Sequence, residues 1–321
     1  MSADKQSFTV LGAGGFIGAA VSARLARLGC NVHAVTRASL PHLFAARRDA
    51  GHVINCIGLT GDFRARSLDT AEAHVGLVAR CLAELQFESF LLLSSTRVYA
   101  RATSTLEDAA LATVPAEPSD LYNLTKLAGE ALCLADPRPT VRVARLSNVY
   151  GERMPAEAFL GQVLAEGISS GSVLFRQSPW SAKDYISIAT VARLLPVIGM
   201  AGRHRLYNLA RGHNTPHAAI ADLLHAVTGW RTGFAPDAPT LINVPIDTTR
   251  ITTEFGAITC DLLADLPSII PAEQEDQCSP STSHLAASPS GIRTVPSKNT
   301  VSTLPRRSRP YPPHGSAVAG T

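Results

Sequence analysis

The 321-residue sequence contains no uninterrupted apolar run of the roughly 18 residues that a membrane-spanning helix needs, so no span is expected. Charge of one sign is also scarce. Lysine and arginine number 29 against 26 aspartates and glutamates; residues 271–321 hold five basic and three acidic side chains, which leaves the preceding 270 residues at 24 to 23. Such a balance argues against nucleic acid or another polyanion as the partner. Clustered cysteine is missing too. Cys30, Cys56, Cys81, Cys133, Cys260 and Cys278 are widely spaced and mostly lie in apolar segments. They fit small buried hydrophobes of a reducing compartment better than a disulfide framework or a metal site, so no metal is expected. The opening MSADKQSFTV lacks the apolar core of a signal peptide. A cytoplasmic protein is expected, long enough to bury a large core without cross-links.

What is present is an alternation of short apolar runs with amphipathic stretches. Strands are expected at 8–11, 31–35, 52–57, 89–93 and 140–146, with helices at 16–28, 40–48, 70–85 and 121–134. This order predicts an α/β fold of the Rossmann type, a mostly parallel sheet covered on both faces, over residues 1–150, with later segments able to return to the sheet. A smaller substrate-binding region is expected over 151–270, with helices near 156–166, 189–197 and 215–228 and extended pieces at 173–175, 185–188, 205–208 and 241–244. From Pro271 the chain is rich in Ser, Pro and Thr. It is read as a disordered tail with too little apolar area to offset its ordering entropy, and its RRSR at 306–309 is read as solvated.

In LGAGGFIG, Gly12, Gly15 and Gly18 follow a strand and, with Phe16 and Ile17, open a helix. Glycines there permit a tight turn, close approach of backbone N–H groups to a pyrophosphate and close packing of helix on sheet, with the helix amino terminus facing the anion. An acidic residue ending the second strand would bind the ribose hydroxyl of NAD. This sequence has Thr36 and Arg37 instead. Arg37 suits the 2′-phosphate of NADP, giving NADP a slight preference over NAD; the alternative is a solvent-facing arginine over adenine.

Ser94, Ser95 and Thr96 follow the strand FLLLS, so a hydroxyl should emerge at the sheet's carboxyl edge. Tyr122 and Lys126 lie four apart on an expected helix and share a face. A phenol is a poor base at neutral pH, and nearby positive charge favours its phenolate. Tyr122 can then exchange a proton with an alcohol or ketone while hydride moves to or from nicotinamide, with Ser95 bonded to the same oxygen. Neither pair is specific alone; together with the glycine turn they form one constellation.

These motifs resemble the extended short-chain dehydrogenase/reductase family, in particular its nucleotide-sugar epimerases and dehydratases, over about residues 8–265. The resemblance rests on GAGGFIG (12–18), SSTRVY (94–99), the Tyr122/Lys126 pair, RLSNVYG (145–151), KDYI (183–186) and YNLARG (207–212). It implies that Ser95, three residues before Val98, is the catalytic serine, and that Lys126 holds the cofactor ribose and lowers the Tyr122 pKa. It also implies that Asn148 lies near cofactor and substrate and that Lys183 stands where relatives often place an arginine beside the substrate diphosphate. Arg250 is a second phosphate candidate, with a surface salt bridge as the alternative, and Thr96 is expected to support Ser95 at the substrate oxygen. Most relatives are dimers through paired helices of the large domain, so a homodimer is implied.

Departures from the family pattern shape the functional expectation. Dehydratases carry Asp and Glu where this chain has Thr96 and Arg97, so dehydration ranks below epimerisation or simple oxidoreduction. His74 stands where relatives often have asparagine, and is read as a satisfied core histidine or part of an altered proton relay. The stretch from Arg37 to Val53 leaves room for one helix, so the usual third strand is expected to be missing. Trp180 is read either as cover for a sugar or base or as core. The leading expectation is an NAD(P)-dependent nucleotide-sugar epimerase working through a keto-sugar. The alternative is an NADPH-dependent nucleotide-sugar reductase or dehydrogenase, and the weakest is a nucleotide-binding protein without chemistry.

Overall fold

The structure is a computed structural model that describes residues 5–46, 49–59 and 61–278. In its first half, strands β1 (Ser7–Leu11), β2 (Asn31–Val35), β3 (His52–Asn55), β4 (Ser89–Ser95) and β5 (Val141–Leu146) alternate with helices α1 (Phe16–Arg27), α2 (Leu40–Ala46), α3 (Ser67–Ala71), α4 (Leu77–Glu84) and α5 (Asp120–Ala135). A π-helical turn, Glu72–Gly76, joins α3 to α4, so the single helix expected at 70–85 is interrupted at His74. The second half contributes β6 (Asn148–Tyr150), α6 (Phe159–Ser170), β7 (Ser172–Phe175), β8 (Ala182–Ser187), α7 (Ile188–Ala201), β9 (Leu206–Leu209), β10 (Asn214–Pro216), α8 (His217–Thr228), β11 (Arg231–Phe234), α9 (Thr249–Phe255) and α10 (Leu262–Cys278).

The main sheet has the order β2-β1-β3-β4-β5-β9, and every pairing in it is parallel. Its inner strands read as nearly continuous apolar runs because helices cover both faces. One face packs Phe8, Val10, Ile54 and Leu91 against Val21 and Leu25 of α1 and Leu194, Leu195 and Ile198 of α7. The other packs Leu11, Val53, Phe90 and Val143 against Val78 and Cys81 of α4 and Cys133 of α5. No strand lies between β2 and β3 among the described residues, and β2 ends the sheet. The short connection expected to omit a strand does so. Beyond Leu146 the chain leaves for smaller sheets, β10-β8-β6 and β11-β7, but β9 and α7 return to the main sheet.

A third core fills the small region, with Tyr150, Leu160, Leu164, Phe175, Ile220, Leu224 and Leu266 buried together. Two expectations differ from the structure. Residues 241–244 form no strand; Leu241 N–H donates to Ser181 Oγ at 2.9 Å and Asn243 Nδ2 to the Ala182 carbonyl at 2.7 Å, so side chains replace a ladder. Helix α10 also runs past Pro271, where the tail was expected to begin, because buried Leu266, Ile269 and Ile270 anchor it and the following Ala, Glu and Gln are good helix formers. Residues 279–321, including RRSR, lie outside the described residues. No helix among the described residues is long and apolar enough to cross a membrane.

Candidate active site

Gly12 has φ +78°, a left-handed conformation that favours glycine, and a Cβ at Gly18 would stand 2.2 Å from the Gly12 carbonyl oxygen. The turn therefore brings α1 against the end of β1. Gly15 caps α1 without a side-chain hydrogen bond, and the first turn carries no acidic residue. Gly14 and Gly15 are exposed, with Phe16 and Ile17 half-buried beside them. Free N–H groups at an uncapped helix start, with no side chain to obstruct them, fit a pyrophosphate. The residues present thus fit a dinucleotide. Arg37 is exposed in the turn after β2 and lines a cleft of about 520 Å³ with Gly58, Leu59, Gly61 and Asp62.

Ser95 ends β4 and Tyr122 and Lys126 lie on α5, and the structure brings the three together at the sheet's carboxyl edge. The Ser95 hydroxyl accepts the Arg97 N–H at 3.2 Å and lies close enough to the Tyr122 phenol to lower its pKa. Ser94, one residue earlier, points inward and donates to Glu130 Oε1, which removes it from the cleft. Tyr122 is 5% exposed, and burial pushes its pKa up, opposed by the Ser95 hydroxyl and the Arg97 charge. Lys126 Nζ donates to the Leu93 carbonyl at 3.0 Å and lies 5.8 Å from the Tyr122 ring centroid. Burial pulls its pKa down to about 8, against the opposing influence of Glu130 and Cys56. Two cations therefore face the phenol ring, Lys126 at 5.8 Å and Arg97 at 5.2 Å from its centroid.

His74 lies in the π-helical turn, where such bulges often mark functional sites. Its Nε2 accepts the Leu59 N–H at 3.2 Å, so Nδ1 carries the proton and donates to Thr125 Oγ1 at 2.9 Å. Thr125 passes its own proton to the Leu121 carbonyl at 2.9 Å. Burial, then the Lys126 charge, pulls the imidazole pKa down to about 3, so the ring is neutral near pH 7. It meets the Tyr122 ring edge-on at 5.3 Å. This is the satisfied core histidine, and it braces the phenol.

The remaining candidates divide. Thr96 starts the short 3₁₀ turn after Ser95 and is half-buried. Asn148 is exposed at the start of β6 and donates to the Asp184 carbonyl at 2.8 Å. Lys183 Nζ lies 4.0 Å above the Phe159 ring, and burial followed by the Arg97 charge pulls its pKa down to about 8. Arg250 is committed elsewhere: its Nε lies 3.6 Å from Glu107 and its Nη1 donates to the Leu206 carbonyl at 3.0 Å, so the salt-bridge alternative describes it. Trp180 is 80% exposed and is not core.

Sequence reasoning missed three contributors. A Cβ at Gly58 would stand 3.2 Å from Lys126 Nζ and 3.3 Å from His74 Nε2, so the loop after β3 passes directly over both; a glycine right after an apolar strand was the available signal. Phe63 packs 5.4 Å from the Tyr122 ring, and nothing in its local sequence marks that role. Arg97, noted from the sequence as the loss of a carboxylate, places its guanidinium 5.2 Å from the Tyr122 centroid.

Comparison with solved structures shows the same fold. MoeE5, described as in complex with UDP-glucose and NAD, is 19% identical, with a TM-score of 0.72, covering 84% of this chain and 99% of its own. TunA, an NAD-dependent NDP-hexosamine 5,6-dehydratase of tunicamycin biosynthesis, is 18% identical with a TM-score of 0.72, covering 84% and 97%. A UDP-glucuronic acid 4-epimerase from Bacillus cereus, in complex with UDP-glucuronic acid and NAD, is 16% identical with a TM-score of 0.66, covering 84% and 99%. No curated protein matches the sequence. The model of the NAD dependent epimerase/dehydratase family matches residues 8–174, from the glycine turn through the Ser95, Tyr122 and Lys126 cluster, and the chain belongs to that family.

Proposed function

We propose that the chain is an NAD(P)-dependent nucleotide-sugar epimerase acting through a keto-sugar intermediate, with chemistry at the sugar C4. The observation that carries this reading is that Ser95 at the end of β4 and Tyr122 and Lys126 on α5 converge at the carboxyl edge of the sheet, with Lys126 Nζ 5.8 Å from the Tyr122 ring centroid and one turn further along α5. Gly12, Gly15, Phe16, Ile17 and Gly18 would hold the pyrophosphate, and Lys126 and Asn148 would lie along the rest of the dinucleotide. A bound nicotinamide supplies a reversible hydride acceptor beside the sugar. Tyr122 would take the proton of the C4 hydroxyl once the positive charge of Lys126, Arg97 and the bound cofactor offsets the burial that raises its pKa, and Ser95 would donate to the same oxygen and stabilise charge on it. The ketone then presents its other face, and Tyr122 returns the proton to the oxygen of the opposite configuration. Thr96 and Lys183 would contact the sugar and the diphosphate. The absence of a carboxylate beside Ser95, where Thr96 and Arg97 stand, supports epimerisation over water elimination.

A second reading, an NADPH-dependent reductase or dehydrogenase of the same substrates, is favoured by Arg37 alone: exposed at the end of β2, it suits a 2′-phosphate and gives NADP a slight preference. One experiment separates the two. Purified protein is incubated with a panel of nucleotide sugars and each nicotinamide cofactor, while cofactor absorbance and product stereochemistry are followed together. Epimerisation gives a product isomer without net cofactor change; stoichiometric cofactor consumption gives the reductase; neither signal with any sugar overturns both.

A further inference from the structure

Among the described residues, the Arg97 guanidinium forms no hydrogen bond or ion pair; it lies between two aromatic faces, 5.0 Å from the Phe63 centroid and 5.2 Å from that of Tyr122. It is exposed and sits two residues from Ser95. Asp120, the carboxylate that reaches it electrostatically, is already occupied by Arg101 Nε at 3.1 Å, the Val114 N–H at 2.7 Å and Asn123 Nδ2 at 3.0 Å. The Arg97 charge also reaches Lys183, whose ammonium lies 4.0 Å from the Phe159 ring centroid with no carboxylate partner among the described residues. An exposed guanidinium with no carboxylate partner is free to take an anionic group of a ligand. Contacts with the two rings hold the guanidinium beside Tyr122, and its donor fork matches a carboxylate bidentately.

The placement says which part of the ligand supplies that charge. Tyr122 marks the reacting carbon, and the guanidinium lies against the Tyr122 ring itself, so a substituent on the carbon next to the reacting one is within its reach. The diphosphate lies at the other end of the sugar. Resting on the nucleotide-sugar reading above, we propose that Arg97 is a specificity-determining residue that receives a carboxylate on the sugar, and that the substrate class is a nucleotide hexuronic acid rather than a neutral nucleotide hexose.

The test uses the full chain loaded with NAD and titrated calorimetrically with two matched pairs, UDP-glucuronate with UDP-glucose and GDP-mannuronate with GDP-mannose. The wild type should bind the hexuronate of at least one pair about tenfold or more tightly, the size of a charge-assisted hydrogen-bonded pair. Arg97→Gln should erase that difference and leave the affinity for the neutral sugar within about twofold, while Arg97→Lys recovers part of it. A wild type that binds both members of each pair equally overturns the proposal and leaves the nucleotide-sugar reading standing. Arg97→Gln weakening both members alike also overturns it, since the arginine would then hold the shared diphosphate. If the wild type binds none of the four, the nucleotide-sugar reading fails and this proposal with it.

Discussion

Arg145 and Arg97 occupy neighbouring parts of one scaffold under opposite conditions. Arg145, on β5 beneath the carboxyl edge, is 3% exposed and fully satisfied: Nη2 lies 2.6 Å from Glu130 Oε2, Nη1 donates to the Tyr99 hydroxyl at 2.6 Å and to the Glu107 carbonyl at 3.2 Å, and Glu130 also accepts from Ser94. Tyr99 in turn donates to Asn208 Oδ1 at 2.9 Å, tying β5 to β9 through side chains. Arg97, at the edge itself, meets only ring faces. Interior charge that is closed on itself serves the scaffold; charge at the rim that stays open serves a ligand. Arg250, paired with Glu107, falls on the scaffold side of this division, and Lys183, seated on Phe159, on the ligand side.

Removing one member from each group tests the division. Glu130→Leu leaves the Arg145 cation buried without its carboxylate and should cost about 3–5 kcal/mol in urea unfolding, whereas Arg97→Gln should change stability by less than about 0.5 kcal/mol. Comparable losses from both variants would erase the distinction. The ligand-side lysines sharpen it through pH. Lys126 and Lys183 titrate near about 8 in the folded chain, against 10.5 for an ordinary lysine. Between those values the unfolded chain binds more protons, so stability should rise with pH while kcat/KM for an anionic substrate falls above about pH 8. A kcat/KM flat to pH 10 would remove these ammonium groups from the site. The neutral histidines carry the same test to the acid side. His74 and His217 are pulled from 6.5 to about 3 and about 4, so the stability they contribute is present above pH 6.5 and is lost as pH falls toward those values. His74→Asn should flatten the decline of Tm between pH 6.5 and 4; an unchanged slope would show that His74 is not the group responsible.

Much of the sheet was legible because its signals are local. The runs FLLL, followed by Ser94 and Ser95, and VINCI, followed by Gly58, locate the buried parallel strands β4 and β3, and the glycine spacing locates the first turn. The omitted strand followed from length alone. The π-helical turn at His74 did not, because it depends on Nε2 meeting a loop N–H fifteen positions away, which no local period encodes. The extended piece expected at 241–244 failed for a similar reason: its apolar residues imitate a strand, but Ser181 and the Ala182 carbonyl capture its backbone and side chains across the fold. In the site, Ser95, Tyr122 and Lys126 were found by spacing. The partners of Arg97 and Arg250 were not, since sequence gives an arginine's charge but not whether a carboxylate folds against it.

The proposed chemistry depends on a single hydroxyl. Tyr122→Phe retains the ring packed by Phe63 and His74 and removes only the phenol oxygen. With nicotinamide binding followed by fluorescence and conversion of the substrate identified by the panel followed in parallel, the variant should bind cofactor as the wild type does and lose about 10²–10⁴-fold in turnover. Turnover within about twofold of wild type at unchanged cofactor affinity would contradict the assignment of Tyr122 as the group that moves the proton.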